Sequence, residues 1–278
     1  IALLADGHLQ ALMQRLSRIA EATTQLQSHT PPETVAYATL NSRQRENHNF
    51  QKVSAVLADY GYTCLALEAG KTLFFDREES IALADIPLTH NGAIGFQVDN
   101  AMASVAAAWA AGLPWETIRR GLASFHNDSA NAPGRFNVMD YRGATIIADY
   151  GHNPDAIRAL VQAVDAMPGN KRSVVISGAG DRRDQDIIEQ TRILGAAFDE
   201  VILYQDACQR GRADGEVLAL LRQGLEGAPR TRYSTEIHGE FAAIDHALER
   251  LAPDDLCLVL VDQVEEALAH LQQRIASA

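Results

Sequence analysis

Cysteine is scarce and odd in number. Cys64, Cys208 and Cys257 are the only three, and none shares a metal-finger or C-x-x-C spacing with another. That pattern argues against a disulfide-stapled secreted fold and against a cysteine-bound zinc, and it reads as reduced thiols in a cytoplasmic protein. No apolar run approaches the roughly 20 residues of a membrane span, and Ala2-Leu3-Leu4 is too short for a signal peptide. Positive charge is in deficit: 24 Lys and Arg stand against 36 Asp and Glu, a formal net charge of −12. Such a field disfavours nucleic acid and anionic membranes as partners and favours cationic ligands. The phosphate-cradling Gly-x-x-x-x-Gly-Lys-Ser/Thr loop is also missing. Gly70-Lys71-Thr72 falls short of it, because Leu65 stands where the first glycine belongs and Leu73-Phe74-Phe75 reads as a strand, not a helix. No internal repeat or low-complexity tract appears.

What is present suits two lobes: 278 residues, 47% hydrophobic and 22% charged, bury substantial cores without composition typical of disorder. Leu9, Leu12, Met13, Leu16 and Ile19 recur at helical spacing, and a polar loop follows over residues 23–32. Strands are predicted over 34–40 and 64–68, around a helix ending near Tyr60. An alanine-rich helix is predicted over 98–111, and Leu113-Pro114-Trp115-Glu116 opens another that runs to Phe125. Trp109 and Trp115 sit among small residues and read as core. The polar stretch 126–132 is the best linker, dividing residues 1–131 from 132–278. Beyond it, predicted strands at 136–141, 144–148, 172–177, 201–204 and 256–261 alternate with helices, which is the pattern of a doubly wound α/β lobe.

The richest segment is Ala148-Asp149-Tyr150-Gly151-His152-Asn153-Pro154-Asp155, where a buried strand gives way to a helix carrying Ile157, Leu160, Val161 and Val164. Pro154 suits the first helical turn, and Asn153 is placed to cap the free amides. In open α/β sheets ligands bind at such carboxyl-end turns, so an acid, an imidazole and helix amides converge where a phosphorylated ligand or its metal would meet them. A capped helix with Asp149 and His152 satisfied locally is the plainer reading.

A second turn, Gly178-Ala179-Gly180-Asp181-Arg182-Arg183-Asp184, follows the strand ending at Ser177. Its glycines permit close backbone approach, Asp181 is placed as a helix cap, and Arg182 and Arg183 offer planar donors for carboxylate or phosphate. The third glycine of a dinucleotide fingerprint is absent, so no nicotinamide site is read. A third turn, running from Gln205 through Asp206, Arg210, Gly211, Arg212, Asp214 and Glu216, combines arginines and acids. It suits a zwitterionic or guanidinium-bearing ligand, with Asp206, Asp214 or Glu216 toward a cation and Arg210 or Arg212 toward a carboxylate. Solvated charged loops are the plainer reading of both. The acidic run from Asp262 to Glu266 reads first as a helix N-terminus, although its turn also lies where it would border the same cleft. His8, His29, His48, His90, His126, His238, His246 and His270 show no paired metal spacing, and no metal site is assigned.

Together Pro133-Gly134-Arg135-Phe136-Asn137, Asp149-Tyr150-Gly151-His152-Asn153-Pro154, Gly180-Asp181-Arg182-Arg183-Asp184 and Arg210-Gly211-Arg212-Ala213-Asp214-Gly215-Glu216 resemble the Mur-like C-terminal half of the cyanophycin synthetase family, within the Mur ligase superfamily. The Asp-Tyr-Gly-His-Asn-Pro element is shared with Mur ligases and folylpolyglutamate synthases, and the Gly-Asp-Arg-Arg-Asp element and the Arg-Gly-Arg loop narrow the match. The likeness extends upstream through Gly95-Phe96-Gln97-Val98-Asp99-Asn100-Ala101 and downstream to Asp262-Gln263-Val264-Glu265-Glu266-Ala267.

The resemblance implies an α/β architecture: part of a Mur ligase central ATPase domain over 1–131, without its phosphate loop, and a Rossmann-like doubly wound C-terminal lobe over 132–278. It implies an ATP- and Mg²⁺-dependent amide ligase that activates a carboxylate as an acyl phosphate and adds L-arginine to the side-chain carboxylates of poly-aspartate. By position, Arg135, Asp149, His152 and Asn153 would lie near the nucleotide, with Arg135, Asp149 and His152 as the catalytic candidates. Asp181, Arg182, Arg183, Asp184, Asp206, Arg210 and Arg212 would line the incoming amino acid. The family often reads Asn-Ala-Asp-Asp where this chain has Leu4-Ala5-Asp6-Gly7, so adenine recognition is not assigned there. The nucleotide core, phosphate loop included, is expected in polypeptide preceding Ile1, and a homo-oligomer is expected. Other Mur-type ligases, a variant that joins β-aspartyl-arginine dipeptides, and a non-catalytic binding or assembly module are the alternatives.

Overall fold

The computed structural model describes residues 2–4, 34–40, 62–68, 72–74, 80–110, 113–206 and 208–277. The chain separates into two compact units, residues 1–125 and 126–278. The expected helices around Leu9 to Ile19 and before Tyr60, the loop over 23–32, Gly70-Lys71, the Trp109 side chain, and His8, His29 and His48 lie outside the described residues.

In the first unit a five-stranded sheet runs in the order β1 (Ala2–Leu4), β2 (Thr34–Leu40), β3 (Tyr62–Glu68), β4 (Thr72–Phe74), β5 (Ser80–Ala82). The first three strands pair in parallel, and β3, β4 and β5 form an antiparallel meander, with Leu73 opposite Leu67. Helix α1 (Gly95–Ala110) begins three residues before its predicted start. It buries Val98, Ala101, Met102 and Val105 at helical spacing against Ile81, Leu83 and Ile86. Pro114, extended and unable to donate, leads into α2 (Trp115–Ser124), which adds Ile118 and Leu122 to that core; Trp115 packs against it.

The second unit is a six-stranded sheet in the order β10-β9-β8-β11-β7-β6, comprising β6 (Asn137–Tyr141), β7 (Ala144–Asp149), β8 (Arg172–Ile176), β9 (Glu200–Gln205), β10 (Tyr233–His238) and β11 (Leu256–Leu260). All pairs are parallel except β6 with β7. The central strands bury every residue of β9 and β11, as a parallel sheet covered on both faces requires. Strand β11, last in sequence, inserts between β7 and β8, so the carboxyl ends of these three strands form the point where strand order reverses. Helices α3 (Pro154–Asp165), α4 (Asp184–Ala197) and α5 (Glu216–Leu225) follow β7, β8 and β9, whereas α6 (Glu240–Glu249) and α7 (Val264–Ala276) follow β10 and β11. Ile146, Ala148, Val175, Ile202, Tyr204, Cys257 and Val259 on one face of the sheet share a core with Ala243, Ile244, Ala247, Leu268 and Leu271 of α6 and α7.

Strand β10 was not foreseen. Its six residues, Tyr-Ser-Thr-Glu-Ile-His, bury little, and their strand state comes from pairing with β9, Tyr233 opposite Glu200 through His238 opposite Gln205. Asp181 also differs from expectation. The N-cap of α4 is Arg183, with no side-chain cap, because the Arg182 amide donates to the Ala179 carbonyl and completes a tighter turn first.

Candidate functional site

The carboxyl edge of this sheet gathers four turns: the one after β7, the one after β8, the one after β9, and the one after β11. The segment preceding β6 lies beside the first of them. Gly134 has φ +66°, and a Cβ there would come within 2.7 Å of Val264 Cγ1. Its amide donates to Asn137 Oδ1 (2.8 Å), while its carbonyl accepts from Tyr150 N–H (2.9 Å). Phe136 is almost fully buried with φ +55°, a strained conformation for a bulky residue. Asp149 holds it there, since Oδ2 accepts the Phe136 N–H at 2.8 Å. Arg135, exposed, is thereby fixed between two anchored neighbours beside the Asp149 carboxylate.

Asp149 is only 8% exposed. Burial pushes its pKa from 3.8 up to about 6, opposed by hydrogen bonds from the Phe136 and Gly151 amides and by the Arg135 charge. Its neighbour His152 is buried as well, and burial lowers its pKa, which favours the neutral ring. Nδ1 lies 2.6 Å from the Tyr150 carbonyl, so a neutral ring donates there and leaves Nε2 as a bare acceptor. That nitrogen stands 3.9 Å from Asp262 Oδ1. The Tyr150 ring lies 4.5 Å from the imidazole, and Gln190, fully buried in α4, donates to the His152 carbonyl (3.0 Å). Asn153 caps α3 as its sequence position predicts, Oδ1 accepting from Ala156 N–H at 2.9 Å, with Pro154 opening the helix.

The arginines of the third turn tie the edge together. Arg210 reaches Asp262 at 2.9 Å and Asp181 at 3.5 Å. Arg212 donates to the carbonyls of Gly180 and Arg182 and pairs with Asp184 and Glu216, each at 2.7 Å. The fork of a guanidinium suits such multiple acceptors. Gly180 permits the approach: a Cβ there would lie 2.1 Å from the Gln209 carbonyl oxygen. Asp214 accepts from Gln205, and Arg183, largely exposed, pairs with Asp186 in the first turn of α4. Thus Asp181 pairs with Arg210 and Asp184 with Arg212, whereas Asp206 follows the end of β9 and Arg183 turns to its own helix. Arg135 and Arg182 are exposed and form no ion pair among the described residues. The charges of Arg182 and Arg210 both reach His152.

Two residues gain importance from the structure. Asp262 carries its charge into the cleft between His152 and Arg210, where its sequence position suggested a helix cap first. Glu240, unmarked in the sequence, is 3% exposed and accepts the Asp262 and Gln263 amides at 2.8 and 3.1 Å. Its only signal was an acid directly after Gly239, at the end of a strand the sequence did not reveal. Among the described residues no group of three or more His, Cys, Asp or Glu could hold a metal ion, and no helix is long and apolar enough to cross a membrane.

Residues 134–260 match the Mur ligase, glutamate ligase domain. Over 243 residues the chain is 34% identical to a cyanophycin synthetase of Synechocystis sp., covering 86% of this chain and 27% of that protein. Over 273 residues it is 30% identical to a cyanophycin synthetase of Nostoc sp., covering 97% and 29%. The chain therefore spans less than a third of the length of these relatives. In fold it is similar to E. coli FolC in complex with DHPP and ADP (TM-score 0.55, 22% identity, 88% of this chain and 53% of that one). It is similar also to a pseudomurein peptide ligase type C from Methanothermus fervidus (TM-score 0.54, 21% identity, 76% and 41%). The fold, the four-turn edge and the sequence likeness agree: the chain belongs to the Mur ligase superfamily, with the Mur ligase-like C-terminal half of the cyanophycin synthetases.

Proposed function

We propose that the chain is the C-terminal part of an ATP-dependent ligase that joins L-arginine to the side-chain carboxylates of poly-aspartate, as the cyanophycin synthetase relatives suggest. In this reading residues 1–131 belong to the central ATPase domain and 132–278 form the C-terminal domain. The observation that carries it is the division of charge at the sheet edge. Arg135 and Arg182, uncommitted to any ion pair among the described residues, flank the buried Asp149 and His152, whereas the acids and arginines of the neighbouring turns hold one another. Guanidinium groups of that kind, with the Asn153-capped start of α3, fit a phosphorylated ligand. ADP bound to the FolC neighbour is consistent with that fit.

ATP with Mg²⁺, when bound, supplies the phosphoryl group that activates the acceptor carboxylate. Arg135 and Arg182 bring compensating charge to that side, and Asp149 holds Arg135 in place through Phe136. The bare Nε2 of His152 accepts a hydrogen bond from the ligand. Asp181, held against Arg210, faces the amino-acid side, and Arg212 fixes the two turns that frame it. No described cluster binds Mg²⁺ by itself, so the metal would depend on phosphate oxygens and on groups beyond this cluster.

The test uses the full-length polypeptide, with ATP and arginine titrated separately. Arg135→Ala and Asp149→Ala raise the requirement for ATP, and Asp181→Ala weakens the use of arginine by roughly 10-fold or more, the loss of a charge-assisted hydrogen bond. Absence of ATP-dependent arginine incorporation into poly-aspartate by the wild-type polypeptide overturns the reading. Incorporation of β-aspartyl-arginine in place of free arginine moves it to the dipeptide-joining variant.

A further inference from the structure

We infer that Glu240 is a positioning residue, a buried carboxylate that sets the turn after β11 so that Asp262 reaches Arg210 and His152. The inference rests on the ligase reading for its catalytic consequence and on geometry for its structural one. Glu240 opens α6 directly after Gly239, whose amide is tied to the Gln205 carbonyl at 3.0 Å, so its backbone is anchored to the end of β9. Its two carboxylate oxygens divide between two successive amides, Asp262 and Gln263, immediately before α7. The side chain of a helix two elements away therefore binds the approach to α7, which has no side-chain cap of its own. On the other side of the same turn the Asp262 carboxylate takes Arg210 at 2.9 Å and faces His152 Nε2 at 3.9 Å.

A carboxylate in this position is costly to bury, and an apolar residue would avoid that cost only by leaving the Asp262 and Gln263 amides without this acceptor. What the acid uniquely supplies is direction: two strong acceptors that fix two consecutive amides, and with them the exit direction of the Asp262 side chain. The cleft needs that direction, because Asp262 also steers Arg210, which spans to Asp181 on the turn after β8. Glu240 touches none of the groups assigned to ligand contact and acts on them through Asp262.

A double-mutant cycle on the full-length polypeptide tests this. Glu240→Gln keeps one acceptor oxygen, Glu240→Ala keeps none, and Asp262→Asn removes the charge while leaving the turn in place. Expected are a rise in KM for arginine of about tenfold for Glu240→Ala, a smaller one for Glu240→Gln, and, when either is combined with Asp262→Asn, no rise beyond that of Asp262→Asn alone. Additive effects, or an unchanged KM in folded variants, overturn the inference. If Glu240→Ala does not fold, the cycle with Glu240→Gln decides. A second readout needs no turnover: NMR titration of the His152 ring in the 278-residue chain. Asp262 raises the His152 pKa, so displacing it in Glu240→Gln shifts that titration to lower pH, as Asp262→Asn does. A titration that moves in Asp262→Asn and stays in Glu240→Gln refutes the positioning role. Should the wild-type polypeptide lack ligase activity, the ligase reading fails while this titration still judges Glu240.

Discussion

Replacing Asp149 with Asn separates the energetic burden of its charge from its geometry. Asp149 has a pKa of about 6 in the folded chain against 3.8 when unperturbed. A raised carboxyl pKa means that the folded state binds the proton more tightly. Its stabilising contribution is thus complete below pH 3.8, is lost as the pH rises through the interval up to about 6, and is absent above it. The difference of about two units corresponds to roughly 3 kcal/mol of penalty for carrying the ionised form at neutral pH. Asn has the same shape and no charge. It turns one acceptor into an amide donor, however, facing either the Phe136 or the Gly151 N–H, at a cost of about 1–2 kcal/mol. Asp149→Asn is therefore expected to leave the second unit about 1–2 kcal/mol more stable at pH 8 and about as much less stable at pH 4, a swing near 3 kcal/mol. Hydrogen exchange of β7 and β11 amides, compared between the two proteins at each pH, isolates this unit from the other. A stability difference that is flat from pH 4 to 8, or one that favours the variant more at low pH, refutes the reasoning. On the proposed ligase reading, the same variant is expected to lose ATP-dependent turnover in the full-length polypeptide.

Three further outcomes follow from the packing. Gly180→Ala places a Cβ 2.1 Å from the Gln209 carbonyl, a backbone atom that must move, so exchange protection across residues 206–212 falls and stability drops by about 1–3 kcal/mol; an unaffected loop would contradict the contact. Arg212→Lys keeps the charge and loses the fork across Gly180, Arg182, Asp184 and Glu216, so it loosens the turn after β8 nearly as much as Arg212→Ala; full protection in the lysine variant would refute the tie. A chain of residues 126–278 already contains six strands and their covering helices, and it is expected to unfold in one cooperative transition by urea denaturation; a broad, probe-dependent transition would refute its autonomy.

Local rules made much of this protein legible before folding was considered. The strands over 144–149, 172–176, 200–205 and 256–260 announce themselves as short apolar runs because both faces of a parallel sheet are covered, and the Asn153-Pro154 start of α3 follows from capping chemistry confined to a few residues. Asp149 and His152 stand out for the same reason, since a strand-to-helix turn is a local object with a known place in an α/β sheet. Strand β10 stayed hidden because an edge strand with little burial carries no hydrophobic signal, and only its hydrogen bonds to β9 make it a strand. Residue type also left open whether an arginine in a polar turn meets a ligand or another turn. Arg210 meets Asp262 across 52 positions, Arg212 meets Asp184 across 28, and Glu240 meets Asp262 across 22. The two pairings with Asp262 exist because the last strand inserts between β7 and β8 and brings its turn to the reversal point of the sheet, whereas Arg212 meets Asp184 because β8 and β9 are neighbours. The sequence thus determined which chemical groups stand at the carboxyl edge, through local periodicity and capping. Tertiary structure alone decided which charges pair with one another and which stay without an ion pair among the described residues, because that choice depends on strand order and on burial.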